Sequence, residues 1–141
     1  MNQPTIRNVV LLFLFDEKRR LLFQHRTDDA PVFPGLWSFF GGGIEEGETP
    51  LEALKREIVE ELNYKLTAPS FAFKTEYFFK ELNRKGERNF FIEKYDTSQK
   101  LELHEGQNLA WFFIHEALSD LRIPEINIPV LKRAEKLLQN M

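Results

Sequence analysis

A chain of 141 residues, 43% apolar and 29% charged, has the size and composition of one globular domain over residues 1–141, with enough length to bury a substantial core. Its 19 basic and 22 acidic residues leave a net charge of −3, so no overall positive field exists to hold duplex nucleic acid. The absence of cysteine excludes disulfides, a thiolate nucleophile and a zinc–sulfur centre, and a reducing cytoplasm is the expected compartment.

Residues 5–15 and 20–26 are rich in Val, Leu and Phe and read as strands on either side of a turn at Asp16–Arg19. The apolar run 9–15 is too short to span a bilayer and is followed by charge; with no signal-peptide pattern before it, no membrane role is expected. Residues 27–36, with two prolines and a glycine, read as a loop. A short strand at Trp37–Phe40 leads into Gly41, Gly42 and Gly43, expected to form a flexible loop that exposes carbonyls and allows close backbone approach. Thr49 suits a helix N-cap, Pro50 the first helical position and Glu52 the capping box, while Asn63 suits the left-handed residue that ends the helix. Beyond it, residues 70–81 and 88–96 read as a second hairpin turning at Asn83–Glu87. A strand at 109–114 and helices near 115–121 and 127–139 complete the chain.

Phenylalanine is unusually common at 14 residues, and it comes in adjacent pairs at 39–40, 78–79, 90–91 and 112–113. Strand neighbours point to opposite faces, so paired rings call for a sheet covered on both sides. The fold class expected is α/β (α+β), a mixed sheet between helical layers.

The helix from Pro50 carries the chemistry. Glu57, Glu60 and Glu61 stand at i, i+3 and i+4 and therefore share a face, beside an apolar stripe of Leu51, Leu54, Ile58 and Leu62. Three carboxylates so placed repel one another, and a hard divalent cation such as Mg²⁺ converts that repulsion into binding.

Residues 42–64 resemble the Nudix box, G-x5-E-x7-R-E-U-x-E-E-x-G-U with U a bulky aliphatic residue. Gly42, Glu48, Arg56, Glu57, Ile58, Glu60 and Glu61 match in register. Asn63 and Tyr64 replace the last glycine and aliphatic residue; Tyr64 is expected to open a buried strand. The resemblance implies a Nudix-type αβα sandwich and Mg²⁺-dependent hydrolysis of a nucleoside diphosphate linkage, with Mn²⁺ able to substitute. It implies Glu57, Glu60, Glu61 and the Gly41 carbonyl as metal ligands, Arg56 as the residue orienting Glu57 or Glu48, and Glu48 as a structural residue. Glu105, in the segment LHEGQNLAWF, is the candidate general base, with Glu57 as its alternative.

Outside the box the chain is similar to MutT-type nucleoside triphosphate pyrophosphohydrolases of the same family. That likeness implies a small nucleotide substrate contacted by Arg26 and Phe39, with Arg88 on its phosphate or ribose. It also implies that Asn127, in PEINIPVL, reads a purine edge; as a residue type, Asn127 equally suits the N-cap of the last helix. The leading substrate is a nucleoside triphosphate, an oxidised purine such as 8-oxo-dGTP included, cleaved to monophosphate and pyrophosphate. Phe40 stands where MutT-type sequences carry proline, which departs from the pattern seen for oxidised guanine. A nucleoside diphosphate sugar or ADP-ribose hydrolase is the enzymatic alternative, and a nucleotide-sensing domain without turnover is the alternative from another class. The sequence leaves a homodimer open.

Overall fold

The computed structural model describes residues 2–141. The elements run β1 (Thr5–Ile6), β2 (Val9–Phe15), β3 (Leu21–His25), β4 (Trp37–Ser38), β5 (Phe40–Gly43), α1 (Pro50–Leu62), β6 (Ser70–Phe79), β7 (Arg84–Lys94), β8 (Asn108–Phe112), α2 (Ile114–Asp120) and α3 (Ile128–Gln139). Short 3₁₀ turns at Lys80–Leu82 and Glu125–Asn127 join β6 to β7 and lead into α3.

The centre of the mixed sheet is β2, whose seven residues are all apolar because both of its faces are covered. Val10, Leu12 and Leu14 pack with Ala53, Leu54, Ile58 and Leu62 of α1. Phe13 and Phe15 pack the other way, with Val130, Leu131, Ala134 and Leu138 of α3. Two of the four phenylalanine pairs divide between the two faces, Phe39 and Phe90 joining the α3 side and Phe40 and Phe91 the α1 side, whereas Phe78 is exposed and Phe113 lies past the end of β8. Phe13 is the hub of the first cluster, stacked on Phe90 at 5.1 Å and edge-on to Phe39 at 5.2 Å.

One edge of β2 runs parallel to β7, from Val9↔Arg88 to Phe15↔Lys94. Its other edge is shared. Residues 9–12 pair antiparallel with β5, and Phe15 meets Leu21 of β3. Beyond that point β3 carries β4 and β8 as its own partners. The sheet thus divides along β2.

Five sequence expectations about the strands are corrected, the fifth at Tyr64. The triple glycine is a strand rather than a loop, because Val9, Val10 and Leu11 supply a ladder for Gly43, Gly42 and Gly41. The strand expected at Trp37–Phe40 breaks at Phe39, its two halves pairing with β3 and β2. The second hairpin turns at 80–83 rather than 83–87, with Asn83 left-handed at φ 45°. The run 5–15 also splits, since Thr5 and Ile6 leave β2 and pair in parallel with Arg84 and Lys85.

The boundaries of α1 follow its local signals. The Thr49 hydroxyl accepts from the Glu52 N–H at 3.2 Å, and the Glu52 carboxylate accepts from the Thr49 N–H at 2.9 Å. Asn63 ends the helix in the left-handed conformation, its N–H donating to the Val59 carbonyl. Tyr64 is fully buried but lies in a loop rather than a strand. Its hydroxyl donates to the buried carboxylate of Glu93 at 2.7 Å and accepts from the Asp96 N–H at 2.9 Å. Glu93 also accepts from the Thr67 and Ala68 N–H groups, and so pins the segment between α1 and β6.

Candidate active site

Arg56 organises the acidic face of α1. Its Nε and Nη2 grip both oxygens of Glu48 at 2.7 and 2.8 Å, its Nη1 donates to Glu57 at 2.9 Å, and Nη2 also donates to the Gly43 carbonyl at 3.0 Å. A planar guanidinium is suited to such a fork. Arg56 thus hydrogen-bonds both Glu57 and Glu48, the two carboxylates it is expected to orient. The hydrogen bonds from Arg56 and from the Glu45 N–H hold the Glu48 carboxyl down at about 2.

Glu57 and Glu61 converge beneath β5. The Glu57 carboxyl lies against Gly42, where a Cβ would stand 2.5 Å from it. Glu61 is buried and accepts the Gly41 N–H at 2.9 Å. Burial, together with the neighbouring Glu57 carboxylate, pushes Glu61 well above the ordinary carboxylate range. Gly41 has φ 148°, and a Cβ on it would stand 2.0 Å from the Val10 carbonyl oxygen. Glycine is thus required at 41 for the strand to form and at 42 for the carboxylate to reach it.

Glu60 is not part of this convergence. It is 58% exposed, with its nearest cation Arg56 at 3.6 Å. Among the described residues, as their side chains lie, no three His, Cys, Asp or Glu groups stand together at metal-holding spacing. The donor chemistry nonetheless suits a hard cation. Two facing carboxylates, one disposed to keep its proton, form a site where a divalent ion can replace that proton.

A cavity of about 300 Å³ opens from Glu57 and Glu61. Its lining also includes Gly41, Gly42 and Gly43, Ser38, Phe39 and Arg88, and the rings of Phe33, Tyr77 and Phe79. Arg26 and Glu105 stand at its margin, their closest polar atoms 3.6 Å apart, and Glu105 is half exposed. Arg26 is held by the Gln24 side chain at 2.8 Å and the Val32 carbonyl at 3.1 Å. Phe39 lines the cavity while belonging to the core of the α3 side. So Gly41, Glu57, Glu61, Arg26, Phe39, Arg88 and Glu105 meet in one place.

Asn127 lies behind that place. It is 1% exposed and does not line the cavity; its Oδ1 accepts from Arg88 at 2.6 Å and its Nδ2 donates to Ser38 at 3.3 Å. Its side chain makes no capping bond to α3 either. Asn127 thus occupies the N-cap position without capping through its side chain, and its amide is engaged by Arg88 and Ser38.

Sequence reasoning missed Arg7, Arg84, Ser38 and Tyr77. Arg7 and Arg84 come together because β1 pairs in parallel with β7, which no local pattern announces. Arg7 lies across Gly43, where a Cβ would stand 2.6 Å from its Nη2. Among the described residues, none of Arg7, Arg84 and Arg88 forms an ion pair with a carboxylate of the chain. Three guanidinium groups without a carboxylate partner give this cavity a positive lining, despite the negative net charge.

The comparisons with known proteins agree with this geometry. The NUDIX domain family matches residues 5–134. An RNA pyrophosphohydrolase of Sulfurovum sp. (strain NBC37-1) is 42% identical over 60 residues, covering 43% of this chain and 36% of that protein. A nucleoside triphosphatase, NudI, of Escherichia coli O139:H28 (strain E24377A / ETEC) is 59% identical over 40 residues, 28% of each chain. The chain thus spans about a third of the length of these curated relatives. Among solved structures, a MutT protein from Methanosarcina mazei Go1 superposes with a TM-score of 0.84 at 18% identity, covering 97% of this chain and 98% of that one, which shows a shared fold.

Proposed function

The chain belongs to the NUDIX domain family, and on that premise we propose that it hydrolyses a phosphoanhydride bond of a nucleoside triphosphate, releasing a nucleoside monophosphate and pyrophosphate. The observation that carries this reading is the cavity itself. Its lining brings together the Glu57–Glu61 carboxylates, the rings of Phe39 and Tyr77, and Arg7, Arg84 and Arg88, which have no carboxylate partner among the described residues. That combination suits a nucleotide, whose phosphates a metal held by the carboxylates would take and whose base is flat and apolar. The relatives named a nucleoside triphosphatase and an RNA pyrophosphohydrolase support a polyphosphate substrate.

Glu57, Glu61 and the Gly41 carbonyl are the groups that would hold Mg²⁺, or Mn²⁺ in its place, with Glu60 able to join them only by a rotation of its exposed side chain. The metal would neutralise the phosphates and lower the pKa of a bound water. Arg56 fixes Glu57 in position and leaves Glu61 to face it. Arg26, at the cavity margin beside Glu105, offsets the charge of the phosphate chain. Glu105, held near Arg26, takes a proton from the attacking water as the water oxygen bonds to phosphorus and the bond to the departing pyrophosphate breaks. We place the protein in the cytoplasm as a single domain acting on small molecules; among the described residues no helix is long and apolar enough to cross a membrane.

The test is product identification by chromatography after incubation with Mg²⁺ and a panel of nucleoside triphosphates, nucleoside diphosphate sugars and ADP-ribose. Monophosphate plus pyrophosphate from a triphosphate supports the reading. A sugar phosphate or ribose phosphate as main product would retain the acidic site and replace the substrate.

A further inference from the structure

The cavity lining holds a buried cation to which the proposed hydrolysis assigns no part of the substrate. Arg88 is 3% exposed, lacks a carboxylate partner among the described residues, and lies over the Phe90 ring with its guanidinium carbon 5.1 Å from the centroid. A buried charge without a counter-ion is costly and is retained where it has a ligand. Neutral acceptors hold it. Nε donates to the Thr75 hydroxyl at 3.3 Å, Nη1 to Asn127 Oδ1 at 2.6 Å and Nη2 to the Ile126 carbonyl at 3.3 Å. A guanidinium has five N–H groups, so one on each terminal nitrogen is left for a ligand.

The sheet register says which part of a nucleotide reaches it. Gly43, Val9 and Arg88 stand in one row across three strands, which puts Arg88 two strand spacings, roughly 10 Å, from the glycine strand above the carboxylates. With the phosphates at the acidic end, the group at Arg88 is the base. A guanidinium only donates, so it favours a base edge with two adjacent acceptors, such as O6 and N7 of guanine or O2 and N3 of cytosine. Adenine places an amino donor beside its ring acceptors and cannot pair in this way.

We infer that Arg88 reads the base and selects guanine or cytosine over adenine, with Asn127 as a positioning residue that holds the guanidinium from behind. The inference rests on the reading of this cavity as a nucleotide site. It also sets the chain against 8-oxoguanine, whose N7 carries a hydrogen and would meet Arg88 donor to donor.

The test is calorimetric binding of GMP, CMP, AMP, 7-deaza-GMP and 8-oxo-GMP to the full chain. GMP and CMP are expected to bind about tenfold or more tightly than AMP, the scale of one bidentate base contact. The 7-deaza and 8-oxo compounds should fall toward AMP. Arg88→Gln should level the series; Asn127→Ala should narrow it, while Asn127→Asp, which keeps the acceptor, should preserve it. Should Arg88→Gln fail to fold, the ligand series on the unaltered chain still decides. Equal affinities for GMP, CMP and AMP, or undiminished binding of 7-deaza-GMP relative to GMP, would overturn the inference. Selective binding without hydrolysis of any triphosphate would overturn the proposed reaction and leave the base contact standing; hydrolysis without selectivity would do the reverse.

Discussion

Two adjacent glycines should fail in opposite ways. At Gly41 an added Cβ meets backbone, 2.0 Å from the Val10 carbonyl oxygen and 2.9 Å from the Leu11 Cα, on a residue with φ 148°. Backbone cannot swing aside, so Gly41→Ala incurs backbone strain of roughly 1–3 kcal/mol and overpacking of roughly 1–3 kcal/mol. The sum corresponds to a drop in melting temperature of roughly 6–20 °C for a domain near this size. At Gly42 the three nearest atoms all belong to the Glu57 carboxyl, at 2.5 to 2.6 Å. That carboxyl ends a flexible side chain and needs to move only about 0.9 Å to reach an ordinary 3.4 Å contact. Gly42→Ala should therefore cost stability no more than about 1 kcal/mol, the scale of a weakened, partly exposed ion pair with Arg56. Displacing a reacting group by about 1 Å lowers turnover by about 10²-fold, so activity should fall while the fold persists. Melting followed by circular dichroism, beside turnover of a nucleoside triphosphate with Mg²⁺, reads both effects. A Gly42→Ala protein with wild-type turnover would refute the placement of Glu57 at the reacting centre. A Gly41→Ala protein that melts like the wild type would refute the close contact between β5 and β2.

Three other outcomes follow from the same contacts. Arg56→Lys keeps a charge but loses the fork on Glu48 and the reach to Glu57, so urea unfolding should show a loss of roughly 1–3 kcal/mol together with weaker turnover. The folded chain keeps Glu48 ionised where the unfolded chain is protonated, so its stabilisation is present above pH 4.5 and is lost as pH falls toward about 2. Melting temperature against pH should accordingly drop less steeply on the acid side in Glu48→Gln than in the wild type. Tyr64→Phe removes a donor from the buried Glu93 and should cost roughly 1–3 kcal/mol in denaturant unfolding, without touching the cavity.

The parts of the fold legible in the sequence are those set by near neighbours. Thr49, Pro50, Glu52 and Asn63 bound α1 through contacts within four residues, and the spacing of Leu54, Ile58 and Leu62 gave its buried face. The phenylalanine pairs announced a two-sided sheet because alternation along a strand is also local. What was illegible depends on partners far along the chain. Three glycines have poor strand propensity, and only the ladder offered by β2, some thirty residues earlier, makes them a strand. The Asn127 amide is engaged by Arg88, 39 residues away, and by Ser38, 89 residues away, so its residue type alone could not show its use. Glu60 matched the acidic motif in register, yet its side chain stays with solvent and Arg56 while Glu57 and Glu61 converge. Arg7 and Arg84 gave no signal until the parallel pairing of β1 and β7 brought them to one cavity.

The central claim is that the Glu57–Glu61 pair supports metal-dependent hydrolysis of a nucleoside triphosphate. The most direct measurement is pyrophosphate release from GTP and CTP, with and without Mg²⁺, by the wild type and by Glu61→Gln. Burial, the Gly41 contact and the shape of the side chain are all kept by glutamine, so the variant should fold. Release that requires Mg²⁺ in the wild type and falls by about 10²-fold or more in Glu61→Gln is the predicted result. Equal release by both proteins at saturating Mg²⁺ would contradict it.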